Sequence, residues 1–252
     1  MQVIVNKLLV NYTDQGKGRV VVLLHGWGAS LDNFAELVAT LSTNHRVIAI
    51  DFPGFGGSEQ PGEAWGVGEY ARFVAATLEK LKVTKVFALV GHSFGGRVII
   101  KGISDGVLQP KKVVLIGSAG VKHSDSARNL AYKSIAKGGK AILSLPGLKK
   151  LAAPAKRKLY ERAGSSDYLQ SGDMKETFLK TINEDLSDEA EDVLQPTLLL
   201  WGDQDQEAPL ADGQYFHSVM PNSELHVVRG AGHFVHNEHP DKVTRLVEEF
   251  LA

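Results

Sequence analysis

Two hydrophobic patterns alternate along this chain. Short runs of valine, isoleucine and leucine, with little polar interruption, occupy Val20–Leu24, Val47–Ile50, Val86–Val90, Val113–Ile116, Thr197–Trp201 and Leu225–Val228. Such runs predict strands covered on both faces, because a strand with one wet face carries polar residues at alternate positions. Between them lie longer stretches with helical character: Leu31–Leu41, Val67–Leu81, Phe94–Ser104, Asp212–Val219 and Asp241–Phe250. The last follows Pro240, and proline suits a first helical position, where its missing N–H costs no hydrogen bond. This alternation predicts right-handed crossovers and an α/β fold, a doubly wound, mostly parallel sheet. The N-terminal MQVIVNKLLVNYTDQGKG reads as a strand or hairpin; a lysine inside its apolar stretch and the lack of a small-residue cleavage site argue against a signal peptide.

The alternation breaks once. Residues 121–194 intervene between two strands, far more than in any other crossover, with helical patterning at Leu130–Ile135, Ala141–Leu145 and Met174–Ile182. We read 121–194 as an inserted helical cap on a core made of 1–120 and 195–252. Charge within it is segregated: 121–162 carries 11 Lys/Arg against 2 Asp/Glu, and 163–194 carries 2 against 9. Two solvated helical faces that attract each other account for this; a basic surface for an anionic substrate, membrane or partner is the alternative reading.

Composition narrows the chemistry. A net charge of −1 over 252 residues gives no reason to expect nucleic acid as a partner. The absence of cysteine excludes disulfides, thiolate catalysis and cysteine-ligated metals. No apolar run approaches the roughly 18 residues of a membrane span, and a cytoplasmic location is the expectation. Oligomeric state is not legible.

In GHSFGG, residues 91–96, a serine follows a predicted strand and precedes a predicted helix. A strand–turn–helix elbow of this kind presents a serine as a nucleophile, and its neighbours must be small, as Gly91, Gly95 and Gly96 are. A serine hydroxyl needs a base to take its proton. Of nine histidines, His233 lies in the glycine-rich loop after the last strand; His226 sits within that strand, His236 and His239 flank the next helix, and His92 points away from the elbow. The base in turn needs a carboxylate to hold its tautomer. Asp205, in GDQDQEAP after Thr197–Trp201, has cleared the turn, whereas Asp203 is placed to cap it. Oxyanion donors are expected from the backbone N–H groups of Phe94 and of Trp27, the latter in LLHGWGAS after Val20–Leu24.

With LLHGWG, AIDFPGFGGS, LVGHSFGGR, LLLWGDQD and GAGHFVHNEHP in this order, the chain resembles the α/β-hydrolase superfamily over nearly its whole length. The resemblance implies Ser93 as nucleophile, Asp205 as acid, His233 as base, and oxyanion-hole positions at Trp27 and Phe94. Asp51 matches a structural turn. Neither metal nor organic cofactor is implied. Arg97 is similar in position to a carboxylate-binding arginine of the menaquinone-pathway synthases and is a possible substrate contact; a salt bridge on its own helix is the plainer reading. The expected function is hydrolysis of carboxylic esters with small to medium acyl chains, the partner being a small-molecule ester. Alternatives are a C–C bond hydrolase or lyase, or a lactonase, acting on a carboxylate-bearing substrate, and a ligand-binding module without turnover.

Overall fold

The computed structural model describes residues 1–122 and 171–252, and among these eight strands form one sheet. They are β1 (Gln2–Val5), β2 (Leu8–Gln15), β3 (Val20–Leu24), β4 (Arg46–Ile50), β5 (Ala88–His92), β6 (Lys112–Ile116), β7 (Thr197–Gly202) and β8 (Ser223–Val228). Their spatial order is β1-β2-β4-β3-β5-β6-β7-β8. β1 and β2 pair antiparallel, as do β2 and β4, and every pairing from β4 through β8 is parallel. The N-terminal hairpin turns at Asn6 and Lys7, whose φ angles of 48° and 71° have the left-handed sense that matches strand twist.

The unbroken apolar runs are explained by two cores, one on each face. Val21, Leu23, Val47, Ala49, Val90, Val114 and Leu200 pack beneath α1 (Ala35–Leu41) and the C-terminal helix Pro240–Leu251. Their neighbours Val22, Leu24, Ile48, Ile50, Leu89, Val113 and Leu199 pack beneath α2 (Val67–Lys80) and α3 (Phe94–Ser104). Successive residues of a strand thus alternate between cores, and neither side reaches water. In the C-terminal helix Val243, Val247 and Leu251 are fully buried at a spacing of four, a single apolar stripe laid on the sheet.

Predicted elements match observed ones closely, with one shift that matters. The run Val86–Val90 predicts a strand ending before the glycine; β5 instead runs Ala88–His92 and delivers Ser93 directly. Phe87 still engages the sheet edge, donating to the Val20 carbonyl (2.8 Å) and accepting from the Lys112 N–H (2.9 Å).

Between β6 and β7 the described residues form a 3₁₀ turn (Gly172–Met174), α4 (Lys175–Asn183) and a second 3₁₀ turn (Glu189–Asp192) that packs on α3. The helix predicted at Met174–Ile182 is therefore present. Those predicted at Leu130–Ile135 and Ala141–Leu145, and the basic part of the segment, lie outside the described residues. After β7 come α5 (Leu210–Val219) and, after β8, α6 (Val235–Glu238) and α7 (Pro240–Leu251).

Chain order departs from β3 to β4 on one side and continues through β5 on the other. The crevice at such a reversal, beyond the carboxyl ends of the strands, is where open α/β sheets bind ligands. The loops after β3 and β5 hold Trp27 and Ser93.

Candidate active site

Ser93 occupies a strained elbow between β5 and α3, with φ 50° and ψ −108°. A non-glycine residue there costs about 1–3 kcal/mol and persists only when its surroundings over-determine it. They do. The Ser93 N–H donates to the Ile116 carbonyl (3.0 Å), and the Ser93 carbonyl accepts from the N–H groups of Gly96 (3.0 Å) and Ala119 (3.3 Å). A Cβ on Gly91 would meet the Gly95 carbonyl carbon and the Gly96 nitrogen at 2.7 Å, and one on Gly95 would collide with the Leu24 carbonyl. The close packing of β3, β5 and α3 forces small residues at these positions.

The base and acid positions come from two other strand ends. His233 follows β8, Asp205 follows β7, and His233 Nδ1 lies 2.8 Å from Asp205 Oδ2. A carboxylate only accepts, so Nδ1 donates and Nε2 is left to act as a base. The other Asp205 oxygen accepts from the N–H groups of Glu207 (2.8 Å) and Ala208 (2.9 Å), which locks the carboxylate plane. Both side chains are nearly buried. Asp203, the rival acid, instead accepts from the Gly230 N–H (2.7 Å) and ties down the turn after β8. His233 Nε2 is 3.5 Å from Glu207 Oε2, and among the described residues the Ser93 hydroxyl forms no hydrogen bond with it. The residue before the serine does touch the imidazole: the ring of His92 packs 4.8 Å from that of His233.

Trp27 and Phe94 meet at the same crevice, with ring centroids 5.4 Å apart. Among the described residues neither main-chain N–H donates to a backbone carbonyl; that of Phe94 opens α3, where no intrahelical acceptor exists. The Trp27 loop is held from below by His25, whose Nδ1 donates to the Gly26 carbonyl (2.7 Å) and whose Nε2 accepts from the Phe52 N–H (3.0 Å). Burial lowers the His25 pKa, consistent with this neutral tautomer. Asp51 gathers the adjoining loops through Leu31 N–H (2.7 Å), Gly57 N–H (2.8 Å) and Asn11 Nδ2 (2.8 Å), a structural task as its motif suggests. The Trp27 indole also packs on Phe55 and Phe178 and donates from Nε1 to Ser171 Oγ (3.3 Å), an apolar wall shared with α4.

Arg97 joins two elements instead of pairing within α3. Its side chain is buried, and Nη1 donates to the carbonyls of Thr181 (2.9 Å) and Glu184 (2.8 Å) at the end of α4. Desolvation lowers its pKa to about 10, opposed by Glu184, Asp185 and Asp212. A cation at a helix C-terminus satisfies orphan carbonyls and the helix dipole together, so Arg97 clamps α4 onto the elbow helix. The sequence between β6 and β7 also offers Arg128, Arg157 and Arg162 to a carboxylate and Leu143, Leu145, Leu148, Tyr160 and Phe178 to an acyl pocket; all but Phe178 lie outside the described residues, and Phe178 is buried against Trp27.

Two groups escape a reading of the sequence. Glu238, in α6, accepts from the N–H groups of Gly232 (2.7 Å) and Phe234 (3.2 Å), bracketing His233 in its loop. His92, expected to point away from the elbow, packs against the ring of His233. Spacing along the chain could suggest the first, since Glu238 is five residues beyond His233; nothing local could suggest the second. Among the described residues no cluster of metal-ligating side chains occurs, and no helix is long and apolar enough to cross a membrane.

The chain matches the alpha/beta hydrolase family over residues 21–246. It is 28% identical over 274 residues to the uncharacterized hydrolase YugF of Bacillus subtilis (strain 168), covering 98% of this chain and 94% of that protein. It is also 28% identical over 281 residues to the 2-hydroxy-6-oxo-2,4-heptadienoate hydrolase of Pseudomonas putida, covering 96% of this chain and 92% of that one. Its fold superposes on an esterase from Exiguobacterium antarcticum with a TM-score of 0.78 at 21% identity, covering 100% of this chain and 98% of the esterase.

Proposed function

This chain belongs to the alpha/beta hydrolase family, and within it we propose a serine hydrolase that cleaves carboxylic esters of small to medium acyl chains. The observation that carries the reading is the His233 Nδ1–Asp205 Oδ2 hydrogen bond of 2.8 Å, built from the ends of β8 and β7, together with a serine held at φ 50° at the end of β5. Ser93 attacks the ester carbonyl while His233 Nε2 takes its proton. Asp205 stabilises the imidazolium and keeps the proton on Nδ1. The N–H groups of Phe94 and Trp27 receive the oxyanion. His233 then protonates the leaving alcohol, and water repeats the sequence to free the acid. Residues 121–194 act as a cap over this edge, and the wall of Trp27, Phe94 and Phe178 faces the acyl group.

The experiment is hydrolysis of p-nitrophenyl esters of graded chain length by the wild type and by Ser93→Ala. Loss of roughly 10⁴-fold or more in kcat is expected for the variant. Equal turnover by the two proteins defeats the mechanism.

A second reading, cleavage of a C–C bond or opening of a lactone by the same three residues, is favoured by one observation: the named relative from Pseudomonas putida is a 2-hydroxy-6-oxo-2,4-heptadienoate hydrolase. Arg97 does not support it, because its guanidinium is bonded to the α4 carbonyls. Turnover of a vinylogous 1,5-diketone acid far above that of simple esters would establish this alternative.

A further inference from the structure

We infer that His92 is a positioning residue for His233, holding the base loop by a hydrogen bond from its ring Nε2 to the His233 main-chain carbonyl (3.0 Å). The inference rests on His233 acting as the base.

One imidazole here touches three loops of the site. By its own backbone it belongs to the elbow, being the last residue of β5. Through Nε2 it reaches the base loop, and its ring packs against those of His233 (4.8 Å), Phe234 (5.1 Å) and His236 (4.6 Å). Through Nδ1 it abuts the Trp27 loop, where a Cβ on Gly26 would lie only 2.8 Å away. His92 as a whole is 1% exposed. A carbonyl only accepts, so the proton sits on Nε2 and Nδ1 is bare; among the described residues Nδ1 has no hydrogen-bond partner. Burial foremost, then His236 and His233, pushes the pKa well below the ordinary histidine value, so the ring keeps this neutral tautomer while its neighbour gains and loses a proton.

The chemistry needs such a tether. Asp205 fixes the rotation of the His233 ring but grips only the side chain. The main-chain carbonyl bond fixes where that side chain starts. Without it the loop can drift, and a displacement of about 1 Å between reacting groups can cost about 10²-fold in rate. Binding does not pass through His92, so the loss falls on kcat and spares KM.

The test compares His92→Leu, His92→Gln and His92→Asn by kcat and KM for p-nitrophenyl acetate, alongside thermal unfolding. His92→Leu removes the donor and is expected to lower kcat about 10–100-fold with KM within about twofold. His92→Gln places an amide donor near the Nε2 position and restores most of kcat, whereas the shorter His92→Asn does not. If His92→Leu folds poorly, the Gln and Asn pair alone decides, since both are polar and only one reaches the carbonyl. Wild-type kcat in His92→Leu, or equal impairment in Gln and Asn, overturns the inference. A wild type no more active than Ser93→Ala would instead overturn the esterase reading beneath it.

Discussion

The elbow around Ser93 and the loop around His233, both just beyond strand ends of the sheet, are held by opposite means. Steric exclusion holds the elbow: α3 lies so close to β3 and β5 that the backbone has one path, and Gly91 and Gly95 are the residues that fit it. Polar contacts from distant parts of the chain hold the base loop: Asp205 on the imidazole, Glu238 on two N–H groups, His92 on the carbonyl. The difference suits the roles proposed for them: a nucleophile needs a rigid pivot, while a base must stay placed as its charge changes, and adjustable hydrogen bonds allow that where close packing would not. Substitutions at the elbow glycines, Gly91 and Gly95, are therefore expected to destroy the fold, and those in the base loop to spare the fold and slow the chemistry.

The largest effect tests the elbow. Gly95→Ala drives a methyl into the Leu24 carbonyl and should cost more than about 4 kcal/mol, leaving little soluble folded protein. A cooperative melt near that of the wild type would show that packing here is looser than the contacts imply.

The next separates the two regions by pH. His236, packed on His92 and Phe34, is buried, and among the described residues both its ring nitrogens lack partners; desolvation, helped by His233, lowers its pKa to about 4. The unfolded chain takes up this proton near pH 6.5, the folded protein only near 4, so stability falls as pH drops through that window. The loss from this one group is roughly 3 kcal/mol on reaching pH 4. His236→Phe should flatten the slope of unfolding free energy between pH 6.5 and 4 by about that amount, measured by urea titration; an unchanged slope refutes the assignment.

The smallest concerns the bracket on the base. Glu238→Ala frees the N–H groups of Gly232 and Phe234, both near solvent, and should cost about 1 kcal/mol of stability. A comparable loss in positioning lowers kcat by up to about tenfold. Faster hydrogen exchange at those two amides, with the elbow amides unchanged, is the accompanying signature. Equal acceleration in both regions would mean that they are a single mechanical unit.

Much of the molecule is legible in its amino-acid order. Two-sided burial makes a strand unbroken in its apolar character, which is why β3, β4, β6 and β7 can be read to within a residue or so. The elbow is legible too, because steric demands at 91, 95 and 96 write themselves as glycine. β5 reads two residues early, since Gly91 and His92 look like turn residues although both lie in the ladder. Arg97 misleads because its partners, the carbonyls of Thr181 and Glu184, are main-chain groups more than 80 positions away and leave no trace in side-chain identity.

What the sequence by itself determined is the set of local demands: apolar runs for a sheet buried on both faces, small residues where backbones cross, and Ser93, Asp205 and His233 each just beyond a strand. Only the tertiary structure decided which polar group holds which loop. The bond from His92 to His233 spans 141 positions, and a hydrogen bond to a main-chain carbonyl is indifferent to the residue that carries it. Periodicity reports what a residue must avoid or bury near itself; it is silent about contacts that exist only after the chain has closed on itself.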